Sequence, residues 1–305
     1  MILTVTLNTA LDLTYRVRSL RPHASHRVSE VIERPGGKGV NVARVLAALG
    51  HEVTVTGFAG GGTGRAVRDM LSDVPRLTDA LLPAAGATRR TIAVVDELSG
   101  DTTQLNEPGP QISPAEWGTF LDRYEELLPG ASAVALCGSL PPGVPVGAYG
   151  NLVRAARSAG VPVLLDTSGE PLRRGVAARP DIVKPNADEL AELTGSHDPS
   201  RATQDARRRG AHAVVASLGP QGLLAATPEG SWHAVPPAPE HGNPTGAGDS
   251  AVAGLLSGLV DQLPWPDRLV RAVALSAATV RAAAAGEFDH AAYEKLLAQV
   301  SVTAA

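Results

Sequence analysis

The regular alternation of segments after residue 113 constrains this chain most. An expected helix at 113–128 leads to strand 131–137, and a helix at 146–159 to strand 161–166. A helix at 170–178 leads to strand 181–184, and helices 187–194 and 200–209 to strand 212–217. These strands are apolar along their whole length rather than at every second residue, the pattern of strands buried on both faces. Such strands separated by helices form a parallel sheet with right-handed crossovers and helices on both sides. Ligands of these sheets gather at the carboxyl ends of the strands. Here those ends carry Asn8-Thr9-Ala10-Leu11-Asp12 after strand 2–7, Gly138-Ser139, Asp166-Thr167-Ser168-Gly169, Lys184-Pro185-Asn186 and Ser217-Leu218-Gly219-Pro220-Gln221-Gly222.

Other segments depart from the pattern. Residues 13–33 alternate loosely with period two, which suggests a hairpin or two short strands. Strands near 77–82 and 91–96 flank Thr88-Arg89-Arg90, and Asp101–Glu107 adds another. Together they are expected to make a small β-sheet lid, with lid segments near 12–34 and 88–107 of a single domain spanning 1–305. Glu52–Phe58 reads as a strand, 59–64 as a turn and 65–72 as a helix. Two short strands, 222–226 and 231–235, and three helices near 248–260, 266–284 and 289–300 close the chain.

Composition narrows the function classes. The 305 residues are 44% hydrophobic, enough for one large core. A net charge of −4 leaves no basic surplus for nucleic acid. No apolar run reaches the roughly 18 residues a membrane span needs. The alanine-rich stretch Ala272–Ala285 is broken by Ser276, Thr279 and Arg281 and reads as a buried helix. The N-terminus lacks a basic leader, and a single cysteine fits a reducing compartment, so a cytoplasmic location is expected. Cys137 has no local base and reads as a packing residue. The eight histidines show no ligand spacing.

Two glycine-rich turns run into apolar helices: Pro35-Gly36-Gly37-Lys38-Gly39 before Val40, and Asn243-Pro244-Thr245-Gly246-Ala247-Gly248-Asp249-Ser250 before Ala251. A helix start offers free N–H groups and the positive end of the peptide dipole, so either turn can receive an anion; either can also be an ordinary capped turn. Neither is a GxxxxGK[ST] loop, and no GxSxG elbow, HRD or DFG occurs. Asn186 and Glu189 suit either a capping box or Mg²⁺, which takes few protein ligands. Phosphoryl transfer needs an anion hole, a metal, a positioned hydroxyl and a carboxylate to take its proton. Residues 246–249, Asn186 with Glu189, the Gly36–Asn41 turn and Asp249 are candidates for these parts.

The chain resembles the ribokinase-like (PfkB) carbohydrate kinases, in the branch holding 1-phosphofructokinase, tagatose-6-phosphate kinase and the minor 6-phosphofructokinase. The carriers are Met1–Asn8 with Asp12, Gly36–Arg44, Thr88-Arg89, Gly138–Gly143, Lys184–Glu189, Ser217-Leu218-Gly219 and Gly246–Ser250. The resemblance implies a three-layer α/β/α sandwich with a mostly parallel sheet, ATP and Mg²⁺ as cofactors, and Asp249 as catalytic base above an anion hole of Gly246, Ala247, Gly248 and Asp249. It implies that Asp12, Gly37, Lys38, Asn41 and Ser139 hold the sugar, and that Arg89 and Arg27 hold a phosphate already on it. Lys184, Asn186, Ser217, Gly219, Gly222 and Gly248 would lie along ATP, with Glu189 reaching Mg²⁺ through water and Asn186 beside it. Lys38, Arg89 and Arg27 put three cations on the acceptor side, which points to a phosphorylated ketohexose. A homodimer clasped through the lid is also implied. The chain departs from the branch at Thr9, where a proline is usual, and at Ala285-Gly286-Glu287-Phe288, which match the nucleotide edge poorly.

Overall fold

A computed structural model describes residues 1–240, 242–282 and 284–305. The first part of the chain forms β1 (Ile2–Thr6), β2 (Ala10–Val17), β3 (Glu30–Gly36), α1 (Lys38–Ala48), β4 (Val53–Gly60), α2 (Gly61–Ser72), β5 (Leu77–Ala84), β6 (Arg89–Asp96) and β7 (Thr102–Asn106). Then come α3 (Pro114–Leu127), β8 (Ala133–Cys137), α4 (Ala148–Ser158), β9 (Val163–Asp166), α5 (Gly169–Ala177), β10 (Ile182–Val183), α6 (Ala187–Thr194), α7 (Pro199–Arg208) and β11 (Ala213–Ser217). The chain closes with β12 (Leu223–Thr227), β13 (Gly230–Val235), α8 (Ala247–Val260), α9 (Trp265–Val280), α10 (His290–Leu297) and β14 (Ser301–Ala304).

The large sheet has ten strands in the order β14-β13-β12-β11-β10-β9-β8-β1-β4-β5. It is parallel from β5 to β11 and antiparallel from β11 to β14. Alternate residues of each central strand enter opposite cores. Ala133, Ala135 and Cys137 of β8 join one core with α1, α8 and α9, while Val134 and Leu136 join the other with α3 and α4. This two-sided burial explains the unbroken apolar runs and makes three layers.

The parallel register aligns the carboxyl ends of the strands. Thr6 pairs with both Gly57 and Cys137, and Cys137 with Asp166. Lys184 directly follows β10, and Ser217 ends β11. A second sheet of four strands, in the order β3-β2-β6-β7, stands beside this rim.

Four expectations are corrected. The strand near 77–82 does not join the small sheet: β5 pairs in parallel with β4 at the edge of the large one. The expected turn at 59–64 is the end of β4 and the first turn of α2, because its glycines let the helix start pack closely. A Cβ on Gly64 would meet the Ala59 carbonyl carbon at 2.9 Å and Thr88 Oγ1 at 3.0 Å. The last helix ends at Leu297, and Ser301–Ala304 adds an edge strand against β13. The alanine-rich stretch is helical only to Val280; Ala283 lies outside the described residues, and 284–288 turn toward the rim. Among the described residues, no helix is long and apolar enough to cross a membrane.

Candidate active site

Two helix starts, 208 positions apart in sequence, meet at the rim. Asn41 in the first turns of α1 donates from Nδ2 to Asp249 Oδ2 at 2.8 Å. Each glycine leading into α1 answers to a neighbour. A Cβ on Gly36 would collide with the Asp12 carboxylate, and one on Gly39 with Thr6 Oγ1. Gly37 caps the helix with φ of 98°, the left-handed side that other residues avoid.

Gly246 begins α8 with φ of 86° and no side-chain cap. The Ala247 N–H donates to the Pro244 carbonyl at 3.1 Å. The N–H groups of Gly246, Gly248 and Asp249 have no acceptor among the described residues. The sequence suggested four such groups; the tight turn at Pro244 uses one of them. Three aligned donors at a helix start attract an anion.

Asp249 is buried at 7% exposure. Burial raises its carboxyl from 3.8 to about 6; Asp166 pushes it in the same direction, while Lys38, the Asn41 hydrogen bond and Lys184 oppose the rise. Asp166 is a residue that the sequence reading left without a role. Its carboxylate, 1% exposed, lies 3.4 Å from Lys38 Nζ and 3.5 Å from Lys184 Nζ, so it holds two lysines under one rim. Burial alone would lower the Lys38 ammonium, but Asp166, Asp249 and Glu189 outweigh it and keep the group charged. Lys184 is buried and its Nζ lies 3.7 Å from where a Cβ on Gly248 would sit, beneath the free N–H groups.

Two cavities flank this centre. The larger, about 780 Å³, is lined by Thr6, Asn8, Lys38, Arg89, Ser139 and Glu189 among others. Arg89 donates to the carbonyls of Asn8 at 3.2 Å and Glu107 at 3.3 Å; burial lowers its guanidinium, against Asp12 and Glu107. Asn8 joins the site by donating to Ser139 Oγ at 3.1 Å. Asp12 stands opposite Thr91 and Arg34 in the small sheet, and burial raises its carboxyl against Thr91, Arg89 and Arg44. Arg27 is not brought in. It sits exposed on the loop between β2 and β3 and, like Asp12, Gly37 and Asn41, is absent from the described lining of the larger cavity.

The smaller cavity, about 490 Å³, is lined by Asn186, Ser217, Gly219, Gly222, Leu223, Pro236, Pro239, Ala247, Gly248, Val273, Ala277 and Val280 among others. Asn186 and Glu189 form a full capping box: Asn186 Oδ1 accepts from the Glu189 N–H at 2.8 Å, and Glu189 Oε2 from the Asn186 N–H at 2.9 Å. The cap occupies the Asn186 oxygen and leaves Glu189, which lines the larger cavity, one oxygen outside the cap. No cluster of three metal-ligating side chains occurs among the described residues.

Comparison with known proteins gives the family of the chain. Residues 4–291 match the family described as pfkB family carbohydrate kinase. The chain belongs to the pfkB family of carbohydrate kinases. It is similar to phosphofructokinase-2 from Escherichia coli, solved as a tetrameric inhibited form: 32% identity, TM-score 0.90, covering 97% of this chain and 98% of that one. That enzyme is also solved in complex with fructose-6-phosphate, with 31% identity, TM-score 0.88 and the same coverage. A possible 1-phosphofructokinase from Thermotoga maritima is 28% identical over 100% of this chain and 99% of that one, with TM-score 0.89. A ribokinase from Arabidopsis thaliana, complexed with ribose and ATP, shares the fold at 22% identity and TM-score 0.76, covering 97% and 98%. As a pfkB carbohydrate kinase, the chain is a phosphotransferase of a family that uses ATP, usually with Mg²⁺.

Proposed function

We propose that this chain transfers the γ-phosphoryl group of ATP to a hydroxyl of a ketohexose phosphate, giving a bisphosphate and ADP. The acceptors in view are fructose 1-phosphate, fructose 6-phosphate and tagatose 6-phosphate. The observation that carries the reading is the pair of cations, Lys38 and Arg89, lining the larger cavity. A neutral sugar is satisfied by hydroxyl partners; a sugar phosphate gains most from fixed charged donors. Arg89 holds the acceptor's phosphate, and Asp12, Gly37, Lys38, Asn41 and Ser139 hold its hydroxyls. The phosphofructokinases among the similar structures, one of them solved in complex with fructose-6-phosphate, support the same class.

The smaller cavity takes the nucleotide. Its apolar wall of Leu223, Val273, Ala277 and Val280 suits a planar base, Asn186, Ser217, Gly219, Gly222 and Gly248 of its lining follow the phosphates, and Lys184 reaches them from beside Gly248. Glu189 fits Mg²⁺ through water, because the cap leaves it one oxygen and this ion keeps several waters and takes few protein ligands. When bound, the ion neutralises charge on the phosphates.

Asp249 takes the proton of the acceptor hydroxyl. The hydroxyl oxygen forms a bond to the γ-phosphorus as that phosphorus separates from the bridging oxygen of ADP. The N–H groups of Gly246, Gly248 and Asp249 are fixed in advance where the migrating group carries its negative charge, so they need no reorganisation. With its carboxyl at about 6, Asp249 is mostly ionised at pH 7 yet remains basic enough to hold a proton.

The reading includes a homodimer formed through the small sheet, which then acts as a lid. Val28, Val31 and Leu105 are exposed at 40%, 54% and 56% on or beside it, and a second copy would cover them and bring its own Arg27 near the site. An ADP-release panel tests the function with fructose 1-phosphate, fructose 6-phosphate, tagatose 6-phosphate, fructose and ribose. Turnover on a phosphorylated ketohexose that collapses in Arg89→Ala is expected. Faster turnover on fructose or ribose, unchanged by Arg89→Ala, would replace the reading with that of a neutral-sugar kinase.

A further inference from the structure

The turn at 285–287, where the sequence departs from its branch, touches three parts of the site within three residues. Ala285 packs on the anion hole: a Cβ on Gly246 would meet Ala285 Cα and Cβ at 2.9 Å. Gly286, with φ of 75°, packs on the partner of the base: a Cβ there would meet Arg44 Nη1 at 2.6 Å and Asn41 Oδ1 at 3.1 Å. Glu287 faces the small sheet. Its Oε1 accepts from Arg34 Nε of β3 and from Arg44 Nη2 of α1, both at 2.9 Å. Arg44 also donates from Nη1 to the Ala285 carbonyl at 2.8 Å, so one guanidinium clamps the turn at both ends. Arg34 stands directly opposite Asp12 in the β2–β3 register. Gln104 of β7 donates to Thr245 Oγ1 at 3.3 Å, a second link from the small sheet, here directly to the turn before α8.

We propose that Glu287 is a positioning residue that couples the small sheet to the anion hole through Arg34 and Arg44. A sugar phosphate seated against Asp12 holds β3 in place. Arg34 passes that restraint to Glu287, and the clamped turn fixes Gly246 and the three free N–H groups. The two substrates therefore tighten each other's binding without touching through Glu287. Such coupling is reciprocal: whatever the acceptor does for the nucleotide, the nucleotide does for the acceptor. The pairing belongs to this chain's own residues, and Glu287 lies outside the described lining of both cavities. The inference rests on the reading that the larger cavity takes a sugar phosphate and the smaller one ATP.

Glu287→Gln keeps the shape and removes the charge, at a position 34% exposed, where folding tolerates the change. In the wild type, fructose 6-phosphate is expected to tighten a non-hydrolysable ATP analogue by about 5-fold or more, the lower end of ordinary coupling. In Glu287→Gln that tightening disappears and kcat falls about 10-fold. Arg34→Gln does the same, and the double variant is no worse than either single one, because all three break one link. Hydrogen exchange on the ligand-free protein supplies an arm independent of chemistry. Glu287→Gln should speed exchange in peptides covering both 30–36 and 244–250. Unchanged exchange at 244–250, or losses in kcat that multiply between the two variants, would overturn the proposal. If the wild type phosphorylates no sugar phosphate, the functional reading fails instead, and the exchange arm still decides whether Glu287 joins the sheet to the turn.

Discussion

The two cavities beside Asp249 are built on different principles. The larger is walled by polar and charged groups held in networks: Asn8 on Ser139, Arg89 on two carbonyls, Lys38 on Asp166. The smaller is walled mainly by glycines, prolines and aliphatic side chains from the antiparallel end of the sheet and from α9. A ligand in the first is selected by where its charges and hydroxyls lie; a ligand in the second is selected by shape and apolar contact. Asp249 and the start of α8 stand between, so each cavity can be damaged separately and the centre can be damaged without either.

The largest effect is expected at that centre. Asp249→Asn keeps the volume and the hydrogen bond from Asn41 but removes the proposed proton acceptor. Turnover should fall by about 10³-fold or more, with calorimetry showing ATP bound nearly as before. Substantial residual activity would show that the base lies elsewhere.

Next come variants that separate the cavities. Arg89→Ala should raise KM for the phosphorylated acceptor roughly 10- to 100-fold, the value of charge-assisted hydrogen bonds, and leave KM for ATP unchanged. Ala277→Phe fills the apolar wall and should do the reverse. Steady-state kinetics with each substrate varied in turn checks the pair. If either variant moved both constants equally, the assignment of one substrate to each cavity would fail.

How much of this was legible in the sequence depends on distance. Strands 133–137, 163–166 and 213–217 were legible because two-sided burial leaves unbroken apolar runs. The Asn186–Glu189 box was legible as a local pattern, its two members only three positions apart. β5 was misassigned because, at the edge of the large sheet, its half-buried alternation looks like that of a small surface sheet. β14 has only four residues, mostly exposed, and no pattern at that length. Asp166 was noted on the rim, but its role comes from two lysines that approach from 128 and 18 positions away, and Glu287 meets residues more than 240 positions back. No window of sequence holds such pairs together.

A smaller effect sharpens the electrostatics of the centre. The Asp249 carboxyl sits at about 6 in the fold against an ordinary 3.8. The folded state therefore holds this proton more tightly than the unfolded one. That contribution to stability is complete below about pH 4 and is lost as pH rises through about 6, on the order of 3 kcal/mol. Asp249→Asn lacks the titration. It should melt above the wild type at pH 8, and the gap should close toward pH 4. Activity runs the opposite way, since the base must be ionised: kcat/KM should fall about tenfold per unit of pH below about 6. Calorimetric melting and a pH–rate profile read the two limbs; a wild type and variant with parallel stability curves would place the perturbed carboxyl elsewhere.

The smallest effect is expected at Cys137, and it asks whether every residue lining the larger cavity takes part in its chemistry. The side chain ends β8, is fully buried, and lines the cavity wall. Burial pushes its thiol well above the ordinary range; Asp166 and Asp249 add to this, and Lys38 and Lys184 only partly oppose it. A neutral thiol in that setting is neither a nucleophile nor a proton carrier. Its value lies in packing in the core shared with α1 and α8. Cys137→Ser should therefore cost about 1–2 kcal/mol of stability for a poorly satisfied buried hydroxyl, read by denaturant unfolding, with kcat within about twofold of wild type. Alkylating reagents should also leave the folded enzyme active. Rapid inactivation that either substrate prevents would move Cys137 from the wall into the working surface and blur the line between the two cavities.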